Sequence, residues 1–227
     1  MDKVVISLGG SVLVPDMSDA QYVRKLAWLL SEMAKEYRIC IVCGGGRIAR
    51  YYISMGRELD FTKEELDSLG IAVTRLNATV LLLALGEEAV PAMPRNEEEA
   101  AQLMEEGGMI VMGGTTPGHT TDAVAAKVAE LAKAKRIVNA TSVEAAYSAD
   151  PKRFHDAERY STMTLKQLFN LVDKGVHEAG PSNVFDRLGA EIAMKAGIPI
   201  YIVNGRDLEE MEKAIKGRDV KGTIAEP

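Results

Sequence analysis

The sequence predicts an α/β fold, a three-layer αβα sandwich around a central, mostly parallel sheet. Two observations predict it. Short β-branched apolar runs alternate with helical patterns along the chain, and most of those runs end in glycine or polar turns. A parallel sheet needs crossover helices on both faces, which leaves the loops at the carboxyl ends of its strands as the natural place for ligands.

Taken in order, residues 3–8 form the first apolar run. Residues 18–37 follow as a helix with Tyr22, Leu26, Leu29, Leu30 and Met33 at the spacing of one face. Residues 38–43 read as a second strand, and Gly44-Gly45-Gly46 then opens a helix near Arg47. Residues 54–85 read as helical with no obvious intervening strand. The second half, IAVTRLNATVLLLALG, is apolar nearly all round, which suits burial within the domain and burial against a second copy equally well. A strand at 109–112, an alanine-rich helix at 122–135 and strands at 136–140 and 199–203 complete the alternation. The ending GRDVKGTIAEP reads as a short terminal strand. No repeat, linker or low-complexity tract interrupts the chain, so residues 1–227 are expected to form a single domain.

Composition narrows the function classes. Of the 227 residues 47% are hydrophobic and 26% charged, which is ordinary for a chain that buries a core. A net charge of −6 argues against broad nucleic-acid or membrane-surface binding, so any phosphate site must be local. MDKVVISLGG has no basic region followed by a long apolar run, and the longest apolar stretch, 80–85, is too short to span a bilayer. A cytoplasmic location is the expectation. Cys40 and Cys43 have C-x-x-C spacing, but they sit in a strand with no accompanying ligands, so they are expected to be buried thiols and no metal ligand is assigned.

The turns carry the chemistry. Ser7-Leu8-Gly9-Gly10-Ser11 follows the first strand, Gly44-Gly45-Gly46 the second, and Gly113-Gly114-Thr115-Thr116-Pro117-Gly118-His119-Thr120-Thr121-Asp122 the third. Glycine lets backbone amides approach an anion closely, and a helix start adds positive dipole. One such turn is often only a way out of a sheet. Three on one edge, the last dense in hydroxyls and ending in a carboxylate, predict a phosphate site. The chain has no G-x-x-x-x-G-K-[ST], and GGGRIAR lacks the spacing of a dinucleotide fold. Asp122 is expected either to orient the charges around a bound phosphate or to cap the helix it opens. His119 in the same loop is expected to be positional rather than acid-base.

Together ISLGGS, VCGGGRIAR, GGTTPGHTTDAVAA and AAYSADP resemble the amino acid kinase superfamily, and LDSLGIAVTRLNA with PGHTTDAVAA resembles its uridylate kinases in their shorter archaeal form, nearly end to end. That resemblance implies the amino acid kinase fold and transfer of the γ-phosphoryl group of ATP to UMP, in pyrimidine nucleotide biosynthesis. It implies Mg2+ carried by ATP, a homohexamer built from dimers, and an N-terminal part that mainly holds UMP with a C-terminal part that mainly holds ATP. It implies ATP contacts at Ser7, Leu8, Gly9, Gly10, Ser11, Gly46, Arg50, Thr141, Tyr147 and Asp150. It implies UMP contacts at Gly45, Asp67, Thr115, Thr116, Pro117, Gly118, His119, Thr120 and Thr121, with Asp122 as the catalytic carboxylate.

The chain departs from the superfamily at two places. Ser7 stands where many members carry a phosphate-neutralising lysine, which leaves Arg47, Arg50 and Lys152 as alternatives. Glu144-Ala145 replaces the usual aspartate and glycine, and alanine tolerates positive φ poorly. The competing expectations are an isopentenyl phosphate or acetylglutamate-type kinase, and a binding protein without catalysis on the same fold.

Overall fold

The computed structural model describes residues 1–15, 19–149, 154–174 and 184–227. Nine strands are described: β1 (Asp2–Leu8), β2 (Tyr37–Cys43), β3 (Ile110–Met112), β4 (Arg136–Thr141), β5 (Ala146–Tyr147), β6 (Arg159–Tyr160), β7 (Thr162–Thr164), β8 (Ile200–Asn204) and β9 (Thr223–Glu226). The described helices are α1 (Gly10–Leu13), α2 (Ala20–Ala34), α3 (Gly46–Glu58), α4 (Lys63–Leu85), α5 (Glu97–Glu106), α6 (Thr121–Ala132), α7 (Leu165–Lys174), α8 (Arg187–Ala196) and α9 (Leu208–Lys216).

Seven strands make one sheet in the order β3-β2-β1-β4-β8-β9-β7, and β5 and β6 form a separate antiparallel ribbon. The first five strands of that order are parallel, whereas β9 runs antiparallel to β8. Leu8 is level with both Cys43 and Ala140, so the turns after β1, β2 and β4 leave the sheet side by side.

Alternate side chains of each strand serve opposite layers. Val4, Ile6, Leu8, Ile39 and Ile41 pack with Leu26 and Leu30 of α2, Leu81 of α4 and Met211 of α9. Val5, Cys40, Val42 and Ile110 pack with Met104 of α5, Val124 and Val128 of α6 and Ala190 of α8. The side chains of both layers are buried, and that burial is the hydrophobic term that holds this architecture together. Both cysteines are fully buried, and burial pushes the Cys40 thiol up to about 12, so it stays protonated and unreactive.

The expected 54–85 helix is two helices. Leu59 closes α3, Asp60 adopts φ 57°, and Phe61 N–H returns to the Gly56 carbonyl at 3.0 Å. A capping box then starts α4: the Thr62 side chain accepts from Glu65 N–H at 3.3 Å, while the Glu65 carboxylate accepts from Thr62 N–H at 2.7 Å. The apolar run at 80–85 also understated this element, because Lys63–Glu88 is long and apolar enough to cross a membrane by length and composition. Two of its polar side chains, Thr74 and Asn77, are buried against the protein, and α4 packs against α3, α2, β2 and β3. The doubt over Ala145 does not arise, because Asp60 and Lys133 are the only non-glycine residues at positive φ among the described residues.

Candidate functional site

The first two glycine turns interlock. A Cβ on Gly10 would lie 2.3 Å from Gly46 N and 2.4 Å from Gly44 O, and one on Gly46, itself at φ +61°, would lie 2.5 Å from Gly10 C. Glycine is therefore required on both sides of this contact, and the turns form one backbone surface. Some of their polar groups are taken up by the fold. Gly9 N–H donates to the Ala140 carbonyl at 2.9 Å, and Gly44 N–H to the Leu8 carbonyl at 2.8 Å. Leu8 itself is buried. The amides of Gly10 and Ser11, at the start of α1, form the leading edge of the first turn. Arg50, one helical turn into α3, donates through Nη2 to Ser11 Oγ at 3.4 Å and brings positive charge to that edge.

The third turn closes the other wall of a cleft of about 430 Å³. Gly45, Gly46, Asp67, Thr116, Pro117, Gly118, His119, Thr120 and Thr121 line it together with Ile53, Lys63, Ile71 and Thr74. Thus eight of the nine residues assigned to the acceptor, all but Thr115, meet in one space. The Thr115 hydroxyl instead donates to Glu97 Oε1 at 2.7 Å, anchoring the start of the loop on a buried carboxylate at the head of α5.

Two residues of α4 hold the turns and were missed in the sequence. Thr74 Oγ1 accepts from Gly114 N–H at 2.7 Å and donates to the Ile71 carbonyl at 2.6 Å. Asn77 Nδ2 donates to the Gly44 carbonyl at 2.8 Å. Both side chains are buried polar groups, and each bonds to the backbone of a glycine turn. The only sequence signal was Thr74 and Asn77, three apart, in the mostly apolar second half of α4.

Asp122 lies where the first strand and the third turn meet. Ser7 Oγ donates to Asp122 Oδ1 at 2.6 Å, so the residue at the lysine position grips the carboxylate from the buried end of β1. Burial pushes the Asp122 carboxyl up to about 7; the Ser7 bond opposes the rise and the Asp186 carboxylate adds to it. Asp122 does not cap α6. The Thr120 hydroxyl does, accepting from Ala123 N–H at 3.2 Å. Asp186 is a third missed residue: it caps α8 by accepting from Gly189 N–H at 3.0 Å and also accepts from the Thr120 hydroxyl. Asn139 on β4, level with Ser7, donates to the Val184 carbonyl and fixes the approach to Asp186. Nothing in a lone aspartate before a helix distinguishes this from an ordinary cap.

The remaining assigned residues lie toward the other end of the same edge. Thr141 ends β4, its Cα 3.7 Å from where a Gly9 Cβ would be, and Tyr147 is on the β5–β6 ribbon. Asp150 and Lys152 lie outside the described residues. Arg47 is exposed on the first turn of α3.

Comparison with known proteins gives a consistent picture. The family model described as the amino acid kinase family matches residues 2–204. A uridylate kinase of Methanoculleus marisnigri is 40% identical over 224 residues, covering 99% of this chain and 95% of its own length. One from Thermococcus kodakarensis is 36% identical over 225 residues, covering 99% of this chain and all of its own. The crystal structure of uridylate kinase from Archaeoglobus fulgidus superposes with a TM-score of 0.88 at 40% identity, across 99% of this chain and 100% of that one. A UMP kinase structure from Bacillus anthracis, at 22% identity and a TM-score of 0.81, shares the fold.

Proposed function

From the premise that the chain belongs to the amino acid kinase family and sits among its archaeal uridylate kinases, we propose that it transfers the γ-phosphoryl group of ATP to UMP, giving ADP and UDP. The observation that supports this reading is Asp122, bonded to Ser7 at the foot of the first glycine turn and directly following Thr121 of a cleft large enough for a nucleoside monophosphate.

An oxygen of the UMP phosphate attacks the γ-phosphorus as the bond to the β-bridging oxygen breaks, and ADP leaves with that electron pair. A phosphate acceptor needs no strong base, so the protein's task is alignment and charge neutralisation. Gly10, Ser11 and Gly46 present backbone to the ATP phosphates, and Arg50 supplies the cation that Ser7 does not. Thr141, Tyr147 and Asp150 serve the nucleoside of ATP. Gly45 and Thr116 to Thr121 surround UMP, with Asp67 on its ribose hydroxyls and Lys63, one turn earlier on α4, adding charge to the same cleft. Mg2+ carried by ATP would neutralise charge on the transferring phosphate, and a cation brought close to Asp122 would favour its ionised form.

The protein works as a cytoplasmic homo-oligomer. Tyr51 (63% exposed) and Leu59 on the α3 side, with Leu76 (61%) and Leu83 (76%) on α4, are exposed apolar residues that a second copy would cover. A helix whose other face carries Thr74 and Asn77 into the site serves as a wall of the cleft rather than a membrane span.

A coupled assay with MgATP and UMP, CMP, dUMP or isopentenyl phosphate tests the proposal. UMP is expected to have the highest kcat/KM. Preference for isopentenyl phosphate would reassign the substrate, and binding without turnover of any acceptor would remove the enzyme.

A further inference from the structure

The donor turn is borne by α1, a helix of four residues with no side-chain cap at its start. One helical turn has little stability of its own, so its direction must be imposed from outside. Arg50 meets its first turn through Ser11. A second arginine, far away in sequence, meets its other end.

That residue is Arg206, two positions beyond β8. Its Nη1 donates to the Val12 carbonyl of α1 at 3.3 Å, and its Nη2 pairs with the carboxylate of Asp19, the N-cap of α2. The guanidinium carbon lies 4.0 Å from the centroid of the Tyr22 ring, whose hydroxyl donates to the Gly205 carbonyl at 2.6 Å. Gly205 brings the β8 turn flush against α1: a Cβ there would lie 2.8 Å from Val12 Cγ1. Gly205 N–H also donates to the Thr141 carbonyl at 2.8 Å, tying the turn to the end of β4.

We propose that Arg206 is a positioning residue for ATP: by holding α1 and the cap of α2 in one guanidinium fork, it sets the direction of the Gly10 and Ser11 amides without touching the nucleotide. A planar fork suits two acceptors in different directions, with the ring beneath it limiting its rotation. This rests on the reading that the first turn faces ATP.

The test is steady-state kinetics of Arg206→Ala, Arg206→Lys and Asp19→Asn, with thermal melts of each. Asp19→Asn keeps a side chain able to cap α2 while removing the ion pair, so it decides the question if Arg206→Ala is too unstable to assay. Arg206→Ala is expected to raise KM for ATP by about tenfold, the equivalent of one lost charge-assisted bond, with KM for UMP within about twofold. Arg206→Lys and Asp19→Asn should shift KM for ATP in the same direction by less. Unchanged KM for ATP in all three, or equal rises in both KM values that track a lower Tm, would overturn the proposal. Arg50→Ala, measured in parallel, separates the two readings. If it raises KM for ATP while the Arg206 series does not, only the positioning role fails; if it raises KM for UMP alone, the ATP assignment of the first turn fails and the proposal with it.

Discussion

Asp122 carries a proton more tightly in the folded chain than its ordinary 3.8 would allow, because burial raises it to about 7. Between those two values the native state holds a proton that the unfolded chain has lost. Stability contributed by this group is therefore complete at low pH, falls as pH rises through the window, and is gone above about 7. Asp122→Asn should flatten that slope, seen as a smaller fall in Tm between roughly pH 5 and pH 8 than the native chain shows. The same variant should lower kcat by roughly 100-fold while KM for UMP changes little, since the carboxylate orients charge at the transferring group and the cleft walls remain. Unchanged turnover would reduce Asp122 to a structural role. The position of Asp122 was legible from a carboxylate ending a hydroxyl-rich turn. Its two closest partners were not: Ser7 and Asp186 come from a strand and a helix start separated from it by 115 and 64 residues, and only folding brings them together.

At the scale of elements, glycine after an apolar strand made the three turns readable before any coordinates, because local chemistry dictates them. The break between α3 and α4 was harder. It depends on one left-handed residue, Asp60, and on a capping box hidden in FTKEE, neither of which disturbs the average helical character of the segment. Thr74 and Asn77 were invisible for a different reason, since a polar side chain in an apolar helix acquires meaning only from the backbone it meets. Asn77→Ala leaves the Gly44 carbonyl without its side-chain donor in a dry site, so it is expected to cost about 1–3 kcal/mol of stability. Because that carbonyl directly precedes Gly45 and Gly46, which line the proposed acceptor cleft, KM for UMP should rise more than KM for ATP. Chemical denaturation with paired KM measurements checks both.

Across the whole molecule, the expected parallel sheet with helices on both faces is present, and the parallel part was legible because its strands are continuous apolar runs. The reversal at β9, the late strand β7 and the β5–β6 ribbon are short and half polar, so their pairing is set by tertiary packing rather than by pattern. The exposed apolar residues of α3 and α4 belong to this scale as well. Leu76→Glu with Leu83→Glu is expected to convert an oligomer into smaller species in light scattering, with each chain still folded by circular dichroism; an unchanged mass would place the interface elsewhere. The contact between Gly10 and Gly44 to Gly46 has a consequence for how such a protein can diversify. On the proposed assignment, the ATP and UMP sites share that partition of bare backbone, so a substitution there would enlarge neither one and obstruct both. New acceptor preference has to be acquired on the opposite bank, at Ile53, Asp67 and Ile71, where side chains can be exchanged while the donor half stays as it was.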